Sequence, residues 1–304
     1  MNRTTQEIAV PLEIPRAEAG PGILSDLMAL TKARLSLLVI VTTFVGFCMA
    51  SRGRLDWVLL VNAVAGTTLA ACSAAVLNQF IEANSDRLME RTRHRPLPAG
   101  RMRARQALVL GVALGAVGVA WLWLAVNASS ASLAAATILI YIAIYTPLKR
   151  RTPFCTVVGA ISGAIPPVIG WVTVRPSMDL GAWILFGILF TWQMPHFLSI
   201  AWMYRDEYAQ AGFVMLRRDD LSGCATAMQS LLFTVALTGV TLVPYFAGIS
   251  SGVYLIGAIL LDAGMLFCAV QFLFQRTRPS ARKLFFTSIL FLPLILGLMV
   301  LAKA

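Results

Sequence analysis

The chain has 304 residues, of which 58% are hydrophobic and 13% charged, and a mean hydropathy of +0.77; soluble domains usually carry about a quarter of their residues as charge, so a soluble enzyme or binding module is excluded and an integral membrane protein is expected. The formal net charge of +11 would suit nucleic acid, but no soluble module presents it, and membrane topology accounts for it better. Five cysteines, Cys48, Cys72, Cys155, Cys224 and Cys268, stand singly in apolar stretches, which argues against a disulfide framework and a zinc site.

The opening residues are polar, carry Glu7, Glu13, Glu18 and Asp26, and have neither the short apolar core of a signal peptide nor the acid-poor composition of a transit peptide. We expect a flexible, uncleaved cytoplasmic tail over 1–27 and a single membrane domain over 28–304. A spanning helix needs about 20 apolar residues. Nine runs qualify: 35–51, 57–80, 106–126, 132–147, 154–173, 180–203, 225–247, 252–274 and 284–302. Lys and Arg concentrate on the cytoplasmic side of membranes. With the N-terminus inside, alternation of the loops puts all but four of the 25 basic residues on that side, the exceptions being Arg52, Arg54, Arg175 and Lys303. An odd number of spans then carries the C-terminus to the periplasm, and a multi-pass protein of a bacterial inner membrane is expected.

The second run leads into "NQFIEANSD", where Asn78, Glu82 and Asp86 recur at four-residue spacing and so stack on one helix face over about 12 Å. Oxygen ligands in a row suit a hard cation, and Mg2+ takes one or two carboxylates together with substrate phosphate oxygens. Arg87, Arg91, Arg93 and Arg95 follow at once and suit phosphate or anionic lipid. Taken alone, the same residues also read as carboxylates and arginines solvating each other at a helix end. The fourth run ends in "YTPLKRRTP", with Lys149 and Arg150, and the sixth in "MYRDEYAQAG", with Arg205, Asp206 and Glu207. All three runs point to the same membrane face. Glu82, Asp86, Asp206 and Glu207 can therefore surround a metal with Lys149 and Arg150 nearby, a diphosphate site in outline.

The fifth run contains "GAISGAIPPVIGW", in which Gly159 and Gly163 at small-xxx-small spacing and the pair Pro166 and Pro167 read either as close helix packing with a kink or as a shaped cavity wall. In the sixth, His196 reads as a hydrogen-bonded bundle residue or as a ligand. Trp192, Phe197 and Trp202 read as core or lipid packing, or as aromatic faces able to shield a positive charge. His94 is expected in a solvated loop or beside phosphate. Asp262 falls near the middle of the eighth run, where a charge costs about 2.5 to 3.5 kcal/mol; it is expected to be protonated or to bond a neighbouring helix, with no catalytic role.

"NQFIEANSD", "MERTRHRPLP", "YTPLKRRTPFCTVVGAISGAIPPVIGW", "WQMPHF" and "YRDEYAQAG", with "LTKARLSLLVIVTTFVGF" before them, resemble signature segments of the UbiA superfamily of intramembrane prenyltransferases, in its heme-farnesylating branch. The motifs cover residues 28 to about 220; the last three runs match in hydropathy only. The resemblance implies an all-α fold, a polytopic UbiA-type bundle of nine transmembrane helices around a central, lipid-accessible cavity. It implies Mg2+ held by Asn78, Glu82, Asp86, Asp206 and Glu207 as the catalytic set, diphosphate bound by Arg91, Arg95, Lys149, Arg150 and Arg205, and heme b contacted by His196. The implied reaction moves farnesyl from farnesyl diphosphate to the 2-vinyl group of heme b with addition of water, giving heme o, and implies an oxidase-assembly or heme A synthase partner. Glu82 stands where the pattern often has Asp, and Ala33 where Pro is frequent; neither departure removes a charge. Two readings stand beside this one: a prenyltransferase acting on a quinone precursor or chlorophyll-like ring, and a transporter or channel, which intramembrane polar residues and broken helices also suit. Against a transporter, the acidic motifs lie at one face rather than the midplane, each with phosphate-type cations.

Overall fold

In a bilayer every backbone polar group must be satisfied within the segment, which leaves helices as the solution for long apolar runs. Helices account for nearly all of the computed structural model, which describes residues 22–175 and 177–304, without the side chains of Arg34 and Leu35. In chain order they are α1 (Ile23–Leu30), α2 (Ala33–Ala50), α3 (Trp57–Asp86), α4 (Ala104–Ala125), α5 (Ala128–Leu148), α6 (Cys155–Val174), α7 (Leu180–Met203), α8 (Arg205–Gln210), α9 (Cys224–Phe246), α10 (Gly252–Gln275) and α11 (Arg278–Leu301). Among the described residues the only β pairing is an isolated bridge between Ser250 and Lys303. Among the described residues eight helices are long and apolar enough to cross a membrane; the first expected span is the shorter apolar stretch Ser36–Ala50 within α2.

The expected tail can be compared with the structure only from residue 22 on. Residues 1–21 lie outside the described residues. Beyond them α1 begins at Ile23, because Leu30 packs with Val76, Leu97 and Ala107 and Asp26 accepts two bonds from Arg101 Nη2 and Nε, at 2.8 and 3.0 Å. The last helix starts six residues before the expected run, at Arg278. Thr277 caps it by accepting from the Ser280 amide and Pro279 occupies its first turn, a start signal independent of hydropathy.

The bundle is centred on α6 and α7, in which 78% and 67% of the spanning residues are buried, against 39% or less in the other spans. Helices farther out turn apolar side chains such as Leu124 of α4 and Leu260 and Phe274 of α10 outward, where lipid is the matching solvent. α2 lies close against α6: a Cβ on Gly46 would stand 1.9 Å from the Pro167 carbonyl oxygen. One stretch of α5, Ile140–Tyr145, is π-helical. Such wide turns occur frequently at functional sites, and here Tyr141, Tyr145 and Lys149 all reach the same internal cavity.

Candidate active site

α3 runs unbroken to Asp86, so Asn78, Glu82 and Asp86 share a face, and all three line a cavity of about 500 Å³. They are 0%, 4% and 1% exposed. Buried carboxylates are tolerated only when paired, and both are. Lys149 Nζ lies 2.8 Å from Oε1 and 3.1 Å from Oε2 of Glu82, and Arg95 Nη1 lies 2.7 Å from Asp86 Oδ2. Asn78 Oδ1 accepts from Lys32 Nζ at 2.9 Å, while its amide donates to Thr146 Oγ1 at 3.2 Å. Thr92 donates to the Asp86 carbonyl at 2.9 Å, which folds the arginine-rich loop over the end of α3.

That loop divides into site and scaffold. Arg91 and Arg95 line the cavity, and Arg91 also donates to the Tyr208 hydroxyl at 3.0 Å and lies over the rings of Tyr204 and Tyr208. Arg87 instead donates to Pro98 O, Arg93 pairs with Glu90, and Arg101 holds Asp26 and the His94 carbonyl. His94 is an exposed loop residue.

Arg150, Arg205, Asp206 and Glu207 do not line the cavity. The expected four-carboxylate metal cage is not assembled: among the described residues, no three His, Cys, Asp or Glu side chains converge as a metal-binding group. The cause is a change of chain direction at Tyr204 (φ −109°, ψ 21°), where α7 stops. The short α8 after it presents Tyr208 to the cavity and pairs Asp206 with Arg278 and Arg205. Arg205 lies over the Trp202 ring, Glu207 Oε2 is buried without a hydrogen-bond partner, and Arg150 donates to Ser85.

Three residues of the cavity wall carried no assigned role in the sequence. Lys32, at the break between α1 and α2, has φ +50° and ψ 54°, a conformation uncommon for any residue but glycine and costly enough to mark functional positions. Gln79 Nε2 holds the end of α1 by donating to Ala29 O and Leu30 O at 3.0 and 2.7 Å, and Lys32 is thereby aimed at Asn78. Burial, with Arg95 and Lys149 close by, pushes the Lys32 amine below the ordinary lysine value. Lys149 is raised well above it: burial works against the charge, but Tyr145 and the Glu82 carboxylate more than offset it. Tyr141 and Tyr145 are the other two. The available signals were the "TKAR" segment and the four-residue spacing of Tyr141, Tyr145 and Lys149.

Deeper in, the wall becomes small and apolar, with Leu38 and Val39 from α2 and Ala70, Ala71, Ala74 and Ala75 from α3. A narrow hydrocarbon chain suits such a surface. Across the cavity, Gly159, Gly163 and Pro166 of α6 face Tyr145 and α7. These glycines line the cavity and also pack closely, since a Cβ on Gly163 would stand 2.0 Å from Gln193 Oε1 of α7, while the close backbone approach of α2 to α6 falls to Gly46 and Gly170. His196 lines the cavity with Trp192 and Phe197; Trp202 does not. Asp262 lies elsewhere in the bundle, accepting from Thr241 Oγ1 at 2.6 Å, the bond to a neighbouring helix that its depth requires.

The donor set of Asn78, Glu82 and Asp86 is all oxygen, and Glu82 Oε1 is buried without a hydrogen bond of good geometry despite its closeness to Lys149. Such residues fit Mg2+, which would complete its shell with water and phosphate oxygens.

Residues 39–293 match the model of the UbiA prenyltransferase family. The chain is 43% identical over 287 residues to a Solibacter usitatus protein named protoheme IX farnesyltransferase, covering 91% of this chain and 98% of that one. It superposes with a TM-score of 0.77 on a structure of digeranylgeranylglyceryl phosphate synthase, at 16% identity over 92% of this chain and 98% of that one. A UbiA homolog from Archaeoglobus fulgidus bound to GPP and Mg2+ gives a TM-score of 0.64 at 13% identity, covering 90% and 99% of the two chains. At these identities the structural likeness is one of fold.

Proposed function

The chain belongs to the UbiA prenyltransferase family, and from that premise we propose that it transfers farnesyl from farnesyl diphosphate to the 2-vinyl group of heme b, with addition of water, giving heme o and diphosphate. The observation that carries this reading is the pair of buried carboxylates, each held by a cation, at the polar end of a cavity whose depth is apolar. The name of the 43% identical relative supports the choice of acceptor.

In this reading Glu82 and Asp86, with Asn78, would hold Mg2+, which would neutralise phosphate charge. Lys149 and Arg95 turn from the carboxylates to the phosphate oxygens, where charge-assisted bonds are strong, and Lys32 and Arg91 complete the cationic wall. As the allylic C–O bond breaks, its electron pair leaves with diphosphate. The electrons of the heme vinyl group form the new C–C bond. Water then adds to the resulting cation and gives up a proton to solvent. Tyr141, Tyr145, Trp192 and Phe197 exclude water from the allyl cation before that, and His196 orients the macrocycle. Asp206 and Glu207 stand outside the cavity in this structure; they would join the metal's ligands, with Arg150 and Arg205 as outer cations, only if α8 turned inward about Tyr204.

The polar end faces the cytoplasm of a bacterial inner membrane, with the N-terminus on that side and the C-terminus in the periplasm. A heme A synthase or an oxidase-assembly protein is the proposed partner that takes the product onward. Expression in a host lacking its own heme farnesyltransferase, followed by heme extraction and mass spectrometry, tests the reading. Heme b plus one farnesyl group and one hydroxyl, the elements of farnesol, is the expected mass; unmodified heme beside a prenylated quinone would overturn it.

A further inference from the structure

His196 is held by contacts that also decide where its proton sits. Its ring stacks on Trp192, one turn earlier on α7, at 4.9 Å between centroids and 22° between planes. It stacks on Phe285 of α11 at 5.0 Å and 29°. Nδ1 lies 2.8 Å from Ser288 Oγ, also on α11. The main-chain carbonyl of the same serine accepts from Trp192 Nε1 at 2.8 Å. Ser288 thus engages two side chains of α7 that are four residues apart.

A serine hydroxyl has one hydrogen to donate. Ser288 Oγ lies 2.6 Å from the Phe285 carbonyl oxygen, which can only accept, so the hydrogen is committed there. Toward His196 the hydroxyl can therefore only accept, and the proton between the two residues belongs to Nδ1. A neutral imidazole carries a single N–H, which leaves Nε2 with a bare lone pair. Nε2 has no hydrogen-bond partner among the described residues, while His196 lines the cavity.

We propose that Ser288 is a positioning residue that holds His196 as its Nδ1–H tautomer, so that Nε2 offers its lone pair to the cavity as a ligand for the iron of the heme acceptor. The ligation half rests on the heme reading given above; the tautomer half does not. Metal-binding histidines commonly donate their second ring N–H to a fixed acceptor, which sets tautomer and orientation together. Proton relay suits the geometry less well. Behind Nδ1 stands a hydroxyl already committed to a main-chain carbonyl rather than a carboxylate able to stabilise an imidazolium. The stacked rings of Trp192 and Phe285 also fix the plane of the imidazole, which coordination of a fixed centre requires and proton transfer through mobile water does not.

Two measurements test the two halves. The chain has two histidines, His94 and His196, so His94→Gln in nitrogen-15 histidine-labelled protein in nanodiscs leaves one imidazole to observe. Wild-type contacts should give a protonated Nδ1 and a bare Nε2. Ser288→Ala should move the proton to Nε2, and Ser288→Thr, which keeps the hydroxyl, should restore the first spectrum. In heme titrations Ser288→Ala should weaken heme binding about 10- to 100-fold and move the Soret band toward that of His196→Ala, with farnesyl diphosphate binding retained as evidence of folding. A protonated Nε2 in the presence of Ser288, or an unmoved proton in Ser288→Ala, overturns the tautomer assignment. A Soret band and heme affinity unchanged in Ser288→Ala overturn the ligation. If the unsubstituted protein gives the expected nitrogen spectrum but binds no heme, it is the heme acceptor that fails, and the iron ligation with it.

Discussion

Glu82 and Asp86 are each paired with a cation, and this sets the direction of several effects. Glu82→Gln and Asp86→Asn keep shape and remove charge; each should lower turnover by about two orders of magnitude or more while the protein still folds, as farnesylation assays with and without EDTA will show. Near-normal activity in EDTA would rule out the metal. Lys149→Met and Arg95→Met should each cost about 1.5 to 3 kcal/mol in farnesyl diphosphate binding, with heme affinity unmoved. Lys149→Met also strands the Glu82 carboxylate, so the double variant with Glu82→Gln should recover part of any lost stability. If titrations show heme binding lost and farnesyl diphosphate binding intact, these cations hold the heme propionates instead. Lys32 makes a pH-dependent contribution. Its amine is pushed down by burial, so the protonated form that binds an anion is lost as pH rises through a value below that of an ordinary lysine. An incoming diphosphate raises that value again, and binding should therefore take up a proton at alkaline pH. Calorimetry in buffers of different ionisation enthalpy reads this directly; Lys32→Arg, always charged, should abolish the uptake.

At the scale of the helix, the apolar runs foretold nearly every span, and the differences have local causes. α3 continues beyond its apolar run to Asp86 because the polar residues that follow are satisfied by Lys32, Lys149 and Arg95. The π-helical stretch of α5 leaves no trace in composition, since a slipped hydrogen-bond register changes no residue type. The break at Tyr204 was equally hidden: "YRDEY" contains no Pro or Gly to announce that α8 departs from α7. Two of the basic residues expected on the non-cytoplasmic side also find a task here. Arg175 Nε donates to Ala50 O at 2.9 Å and Lys303 Nζ to Cys48 O at 2.9 Å and to Ser51 O, cations at the negative end of the α2 dipole. The tightest helix contact yields a stability prediction. Gly46→Ala places a methyl group 1.9 Å from the Pro167 carbonyl oxygen, which backbone shifts alone can relieve, so about 1 to 3 kcal/mol should be lost. Thermal unfolding in detergent should show it, together with reduced activity, because α2 begins directly after Lys32 and carries part of the cavity wall. An unchanged midpoint would mean that α2 and α6 lie farther apart.

For the whole molecule, the expected topology has a simple check. A phosphatase reporter fused after Ala304 should be active, and a fluorescent reporter dark, if the C-terminus is periplasmic; the reverse pattern would overturn the count of nine spans. The apolar runs, the bias of the basic residues and the stacking of Asn78, Glu82 and Asp86 on one face were all legible in the chain, because each is a periodicity or a composition within some twenty residues, set by the bilayer and by the helical repeat. The sequence alone therefore determined a polytopic helical protein with one polar, cation-rich end. Which of its acidic residues share a cavity was decided by the tertiary structure. Lys32 meets Asn78 across 46 positions, Arg91 meets Tyr208 across 117, and His196 meets Ser288 across 92. These pairings depend on the rotation of packed helices about their own axes and on direction changes at Lys32 and Tyr204. Packing against every neighbour at once fixes those angles, and no local pattern encodes them.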